Sequence, residues 1–382
     1  MKKTLIALAA LAAAGATLAQ SSVTIYGRMD LGMSSVDTTV EAGAGVAGTG
    51  ESFSLAGTQN ARTSSRLGFR GTEDLGGGLR AGFTYEIGIN ADRATTGNAE
   101  TRLANLSLTG GFGTVVVGTF MNAFDTVRGF SPATGVGGAV PGGDFTQMHG
   151  AALVERFDSR TQNAIAYVSP AFSGFTFSAG VVNEEHTTAA AAARKYDGFI
   201  LGLGYSQGPL TAHFAFGQLD VGYHAPLSAA GTIPAATNSA VNPLNAEVQN
   251  WALGVRYTLP QVVLSFIYED SELSLPGALV SEFNAWEIGA RFPMGAFAPY
   301  ITYGQGEINT LRDRTGGTAL GAAAFARNEG VNDTSAWQIG TTYNLSTRTW
   351  IYAAVGEFQR DQANGTNNTK SDGFALGLVH TF

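Results

Sequence analysis

The sequence predicts an all-β fold, a transmembrane antiparallel barrel of about sixteen strands. Three observations predict it. Apolar residues recur at every second position through segment after segment, the connections between segments alternate between short and long, and no stretch after Ala19 holds 18 consecutive apolar residues. A strand with lipid on one side and water on the other must alternate. A chain that crosses a bilayer without apolar helices has to close into a barrel, because every backbone polar group in lipid needs a partner.

The N-terminus carries a different pattern. Lys2 and Lys3 precede an Ala/Leu-rich run from Leu5 to Leu18, and Thr17-Leu18-Ala19 has small residues where a processing enzyme needs them. The run is too short for a retained helix, which takes ~20 apolar residues. Residues 1–19 are therefore expected to be a signal peptide that is removed, leaving 20–382 as a single barrel domain.

Composition agrees with a barrel in lipid. Charged residues make up 14% of the chain, against ~25% in an ordinary soluble domain. Cysteine is absent, so disulfides cannot supply the stability of this exported chain, and a closed hydrogen-bond ladder can. The formal charge of −8 becomes −10 without Lys2 and Lys3, which argues against nucleic acid as a partner.

The alternation can be followed in order. Val23, Ile25, Met29 and Leu31 share one parity, and Thr24, Tyr26, Arg28 and Asp30 the other. Phe83, Tyr85, Ile87 and Ile89 oppose Thr84, Glu86, Gly88 and Asn90 in the same way, as do Trp251, Leu253, Val255 and Tyr257, and finally Phe374, Leu376, Leu378 and Phe382, against their neighbours. The predicted strands span 22–33, 61–71, 78–90, 100–109, 113–120, 160–169, 173–183, 196–206, 209–219, 247–258, 260–270, 281–292, 296–306, 333–344, 347–358 and 371–382. Their lengths suit the ~9–11 residues of a tilted membrane strand.

Short connections such as Gly110-Gly111-Phe112, Gln207-Gly208 and Pro293-Met294-Gly295 carry turn chemistry. The segments 34–60, 121–159, 220–246 and 307–332 are long and rich in Gly, Ala, Thr and Asn, as external loops are. An even strand number then places both termini on the short-turn side. A soluble β-sandwich would bury its aromatics in one core and would not need this alternation of connection lengths.

Several strings on these strands are familiar: SSVTIYGRMDLG from Ser21, SRLGFRGTEDLGGGLRAGFTYE from Ser65, LSLTGGFGTVVVG from Leu106, NAIAYVSPAFSGFTFSAGV from Asn163, and the terminal FALGLVHTF. Together they resemble the trimeric general porins of Gram-negative bacteria, in particular the beta-proteobacterial branch, over nearly all of the chain after residue 19. The resemblance implies a homotrimer of sixteen-stranded barrels in the outer membrane. Each barrel is a water-filled channel for passive diffusion of small hydrophilic solutes and ions, narrowed by a third external loop folded into the lumen.

That loop corresponds to Asn122–Ser159, which carries Asp125, Asp144, Glu155 and Asp158 beside Arg128 and Arg156. Acidic and basic walls facing across a narrow gap give a transverse field that sorts solutes by charge. Arg28, Arg66, Arg70 and Arg160 lie on the polar parity of their predicted strands. By resemblance, Arg66, Arg102 and Arg160 match the basic cluster of the family's eyelet.

Arg102 shares parity with Leu106 and Leu108, so it reaches the lumen only through a bulge or if that parity points inward. Thr119-Phe120 and Ala166 stand where the family commonly has an Arg-Gln pair and a basic residue, which implies a less positive eyelet. Phe382 resembles the terminal aromatic read by the outer-membrane assembly machinery. Outer-membrane lipid and lipopolysaccharide are the expected surroundings.

Enzyme chemistry has no visible foothold. The histidines His149, His186, His213, His224 and His380 form no HExxH pair, and no Ser/His or Asp/His constellation stands out. GTEDLGGG and LTGGFGTV lack the order of a phosphate loop and read as hairpin turns. No cofactor or metal is expected. A substrate-specific channel would line its lumen with stacked aromatics, whereas the strand aromatics here mostly sit on the lipid parity, though Tyr26, Trp350, Tyr352 and Phe358 fall on the other. An adhesin or receptor barrel acting through its loops would have little use for inward arginines.

Overall fold

A computed structural model describes residues 22–42, 45–55, 65–89, 100–134, 136, 140–143, 145, 148, 160–186, 193–224, 246–275, 278–310, 330–362 and 368–382. The predicted signal peptide lies outside the described residues. In chain order the strands are β1 (Ser22–Ala42), β2 (Gly45–Leu55), β3 (Arg66–Gly76), β4 (Leu79–Gly88), β5 (Thr101–Gly110), β6 (Gly113–Phe120), β7 (Thr161–Val168), β8 (Phe175–His186), β9 (Ala193–Gln207) and β10 (Leu210–His224). They continue with β11 (Ala246–Thr258), β12 (Val263–Leu275), β13 (Ala278–Arg291), β14 (Phe297–Thr310), β15 (Gly330–Asn344), β16 (Thr349–Gln362) and β17 (Asn368–Thr381). One short helix, α1 (Ala123–Arg128), follows β6.

Every neighbouring pair from β3 to β17 is antiparallel, and β1 closes the sheet on itself. One edge of β1 pairs with β17 from Arg28↔Thr381 to Glu41↔Asn368. The other pairs with β3 from Ser22↔Thr72 to Arg28↔Arg66, and above Met33 the same edge is taken by β2. The barrel proper has sixteen strands, with β2 as an extra partner folded back on the upper part of β1.

The segment 34–60, expected as a loop, is in large part this β1–β2 hairpin. Residues 307–310 and 220–224 likewise continue β14 and β10. Hydrophobic alternation is imposed by lipid, so it stops where the strand leaves the bilayer. The hydrogen-bond ladder does not stop there, as the polar run Glu269-Asp270-Ser271-Glu272 inside β12 illustrates. On the opposite side the strands end within a few residues of expectation.

Barrel closure places the two ends of the described chain side by side, among the short turns. Gly27 and Phe382 exchange main-chain hydrogen bonds of 3.1 and 3.2 Å. The Phe382 ring lies across Gly27, so that a Cβ there would sit 2.4 Å from it. The last residue thus seals the seam from outside.

The outer face carries the alternating apolar set, with Ile25, Leu106, Val117, Ile165, Leu203, Ile288, Ile339 and Leu376 all exposed. Near the short turns lie Phe112, Phe175, Tyr257, Phe292, Phe297 and Tyr343, and Tyr167 donates to the Phe112 carbonyl at 2.6 Å. Trp251 and Tyr268 pack with ring centroids 5.0 Å apart, and Trp286 and Tyr303 5.8 Å apart. Amphipathic rings gathered toward the ends of an apolar band are what a bilayer's two interfaces favour.

The candidate pore constriction

The lumen-facing rows are built by residues directly opposite one another across the ladder, which share a face. Arg28↔Arg66↔Gly88 is one such row and Tyr26↔Gly68↔Glu86 the next. Glu86 is the hub of this wall. Its carboxylate accepts from Arg102 Nε at 2.7 Å and from the Tyr26 hydroxyl at 3.1 Å, and it lies 3.7 Å from the Arg66 guanidinium.

Around the hub, Arg28 pairs with Asp30 at 3.2 Å and stands over the Trp350 ring, with 5.2 Å to its centroid. Tyr352 donates to the other Asp30 oxygen at 3.1 Å. Arg160 bonds Glu100 at 2.7 Å, and its charge is coupled to those of Arg102, Glu86 and Asp125. The wall therefore brings together Arg28, Arg66, Arg102 and Arg160. Arg70 is set apart, exposed one row further toward the short turns and stacked on Tyr26 at 5.1 Å.

Arg102 reaches this cluster through a bulge. The β4–β5 register passes from Glu86↔Leu103 to Ile87↔Thr101, leaving Arg102 as the extra residue. An inserted residue re-aims a side chain that strict alternation would send to lipid. Arg160 departs from the simple parity count as well. The β6–β7 register shifts between Gly118↔Ala164 and Phe120↔Thr161, Asn163 takes a positive φ of 45°, and Thr161 becomes the lumen-facing residue. Arg160 stands just ahead of the strand.

The loop after β6 begins with α1. Asn122 caps it, its Oδ1 accepting from the Phe124 and Asp125 amides at 2.9 and 3.2 Å while its Nδ2 donates to Thr161 at 3.2 Å. Phe124 and Val127 are fully buried against the inner wall of β9, β10 and β11. From there the described residues follow the lumen wall strand by strand. Arg128 is bound bidentately by Glu269 of β12, both side chains being completely buried, and Asn250 donates to the same carboxylate at 2.7 Å. Arg256 donates to the Gly129 carbonyl at 2.8 Å and Arg291 to that of Pro132 at 3.4 Å. Gln338 and Thr334 donate to the carbonyls of Val140 and Met148.

Small residues make this seat possible. Gly202, Gly254, Gly289, Gly304 and Gly356 face the loop, and a Cβ on each would meet loop atoms within 3 Å. On the loop itself Gly142 is held at φ +79°, where a Cβ would lie 2.3 Å from the Trp337 carbonyl and 2.5 Å from that of Glu357. Of the predicted acidic residues, Asp125 is half-buried in α1, and Asp144, Glu155 and Asp158 lie outside the described residues.

Sequence reasoning missed Glu86, Asp30, Glu100 and the Arg128–Glu269 pair as members of the site. Glu86 and Asp30 stand on the polar parity of their strands with apolar neighbours on either side, and that signal could have found them; Glu269 lies on the same parity but is followed by Asp270. Tyr26, Trp350 and Tyr352, the inward aromatics that a sugar-stacking lumen would display, are here engaged by Glu86, Arg28 and Asp30.

Comparison with known proteins matches this architecture. The model of the Gram-negative porin family matches residues 4–363. The chain is 31% identical to outer membrane porin protein 32 of Delftia acidovorans, covering 99% of this chain and 95% of that protein. Among solved structures, the anion-selective porin from Comamonas acidovorans superposes with a TM-score of 0.65 at 23% identity, covering 95% of this chain and all of that one. The trimer form of OmpT from Vibrio cholerae gives 0.62 at 17%, covering 95% and 99%. The barrel fold is thus shared with these structures and the sequence with an outer-membrane porin, and the chain belongs to the Gram-negative porins, multi-pass barrels of the outer membrane through which small hydrophilic solutes diffuse passively.

Proposed function

We propose that the narrowest part of this channel lies between the wall bearing Arg28, Arg66, Arg102 and Arg160 and the loop bearing Asp125, Asp144, Glu155 and Asp158, and that this eyelet prefers anions. One observation carries the reading. Among the described residues, four guanidiniums meet three carboxylates, those of Asp30, Glu86 and Glu100, on the basic wall. Counted over these side chains the wall is positive by one charge, and Arg70 adds a second below.

The strand ends on the loop side are acidic, with Glu247, Glu272, Glu282, Glu307, Asp333 and Asp361. They surround a wide mouth, where salt screens charges beyond ~8 Å. A narrow passage with low-dielectric walls focuses the field instead, so the eyelet outweighs the rim. The likeness to a porin described as anion-selective supports the same sign.

In this reading residues 1–19 are removed on export and 20–382 form the barrel. Phe382 marks the chain for the assembly machinery, and the outer wall meets lipid and lipopolysaccharide. Three copies associate, as the trimeric form of the structurally similar OmpT suggests. No catalytic step is involved.

The test is the reversal potential of the purified protein in a planar bilayer under a KCl gradient. An anion-side potential that moves toward cations when Arg66 and Arg160 are changed to Ser supports the eyelet. A cation-side potential in the wild type overturns the preference, and an unmoved potential removes these residues from the eyelet.

A further inference from the structure

Between the start of α1 and the lumen faces of β6, β7, β8, β9 and β10 lies a recess of about 240 Å³. Its wall is mostly apolar, chiefly Val116, Ala164, Ala166 and Ile200, with Thr176 and Ser178 also lining it. The polar feature that stands out is His213, whose Nε2 is buried without a hydrogen-bond partner among the described residues. An apolar cavity of roughly 150 Å³ is already large enough to take up benzene. A buried polar nitrogen left unpaired costs free energy that a ligand able to meet it recovers.

We infer that this recess is a retention site for small monocyclic aromatic solutes bearing a hydroxyl group, the phenol class, with the ring against the apolar wall and the hydroxyl on His213 Nε2. The hydroxyl is the group that fits best. A neutral imidazole offers that nitrogen as a donor in one tautomer and an acceptor in the other, and a phenolic hydroxyl can answer either. The ring is planar and loses little freedom on entering. None of the wall arginines lines the recess, so occupancy leaves the charges of the eyelet in place. Such a solute would pause in transit where a sugar or inorganic ion would not.

The experiment is open-channel recording of the purified full chain in a planar bilayer with phenol, and in parallel with toluene, which has the ring without the hydroxyl. Phenol is expected to lower the current saturably, with toluene acting roughly three- to tenfold more weakly, the worth of one hydrogen bond. Ala166→Leu, which fills the recess, should abolish the phenol effect in the same lipid. His213→Leu should bring phenol down to the level of toluene while the open conductance persists. No saturable effect in the wild type, or one that survives Ala166→Leu, overturns the site. Equal action of phenol and toluene in the wild type overturns the role of His213. Should Ala166→Leu fail to give channels, His213→Leu decides alone. Either result leaves the pore and its charge preference standing, since both are read without phenol.

Discussion

The two sides of the lumen wall are built on opposite plans. From β1 through β5 to the head of β7 the inward rows carry long charged side chains, with Arg28, Arg66, Arg102 and Arg160 interleaved with Asp30, Glu86 and Glu100. From β9 to β16 they carry glycine, alanine and threonine where the loop backbone lies closest, with Arg256, Glu269, Arg291 and Gln338 reaching up to hold it. Side-chain length decides where backbone can approach backbone. The loop therefore packs on the side that is short and leaves open water on the side that is long. The position of the channel is in this sense a consequence of where the sequence spends its glycines.

The harshest test of that contrast is to lengthen the short side. Gly142→Val places a β-branched side chain at a positive φ and within 2.3 Å of a carbonyl, a strain of ~3 kcal/mol or more that neither strand can relieve by moving alone. The expected outcome is a loop lifted from its seat, seen as a raised and unsteady single-channel conductance. An unchanged conductance would mean that small residues do not determine where the loop lies.

An effect of comparable size should follow from the buried ion pair that ties α1 to β12. Arg128→Ala strands Glu269 without its counter-charge, which costs about 3–5 kcal/mol in such pairs. A lower thermal unfolding transition of the detergent-solubilised barrel, with faster current fluctuations, is expected. The double change Arg128→Met with Glu269→Met should recover most of the loss, because removing both charges also removes the desolvation penalty. If the double variant were no better than the single one, the pair would be contributing something other than charge compensation.

How much of this was legible beforehand follows the physics of the environment. Lipid imposes alternation, so β3 to β17 and their short turns could be read from residues such as Phe83, Tyr85 and Ile87 with errors of a few positions. Water on both faces imposes nothing, which is why the upper part of β1 and all of β2 passed for a loop. Parity also finds Arg28 and Arg66 but cannot foresee a bulge. Arg102 was left undecided, and the slip at Gln162–Asn163 was hidden. The Arg128–Glu269 pair joins residues 141 positions apart, and no local pattern links them. The glycine seat was visible only as composition until the loop's path gave each glycine a partner.

On the long side, changes should be gentler and graded by depth. Arg102→Ala removes a buried charge from the hub and should move the reversal potential toward cations by more than Arg70→Ala, since Arg70 is exposed and better screened. Raising the salt should shrink the Arg70 effect first, because a screened surface charge loses influence before a buried one. Equal shifts at all salt concentrations would break the assignment of Arg102 to the narrowest part.

The smallest expected change is Tyr26→Phe. It deletes one 3.1 Å hydrogen bond to Glu86 and keeps the ring on which Arg70 stacks. Glu86 retains Arg102 at 2.7 Å and Arg66 at 3.7 Å, so it is not left unsatisfied, and the cost should stay near the ~0.5–1.5 kcal/mol of a single hydrogen bond. Selectivity should hardly move, because no charge is lost. The comparison with Arg102→Ala then separates two roles of the same wall. If Tyr26→Phe shifted the reversal potential as far as Arg102→Ala, Glu86 would have to be swinging free of its arginines, and the excess positive charge of the wall would depend on the geometry of that one carboxylate rather than on the number of guanidiniums around it.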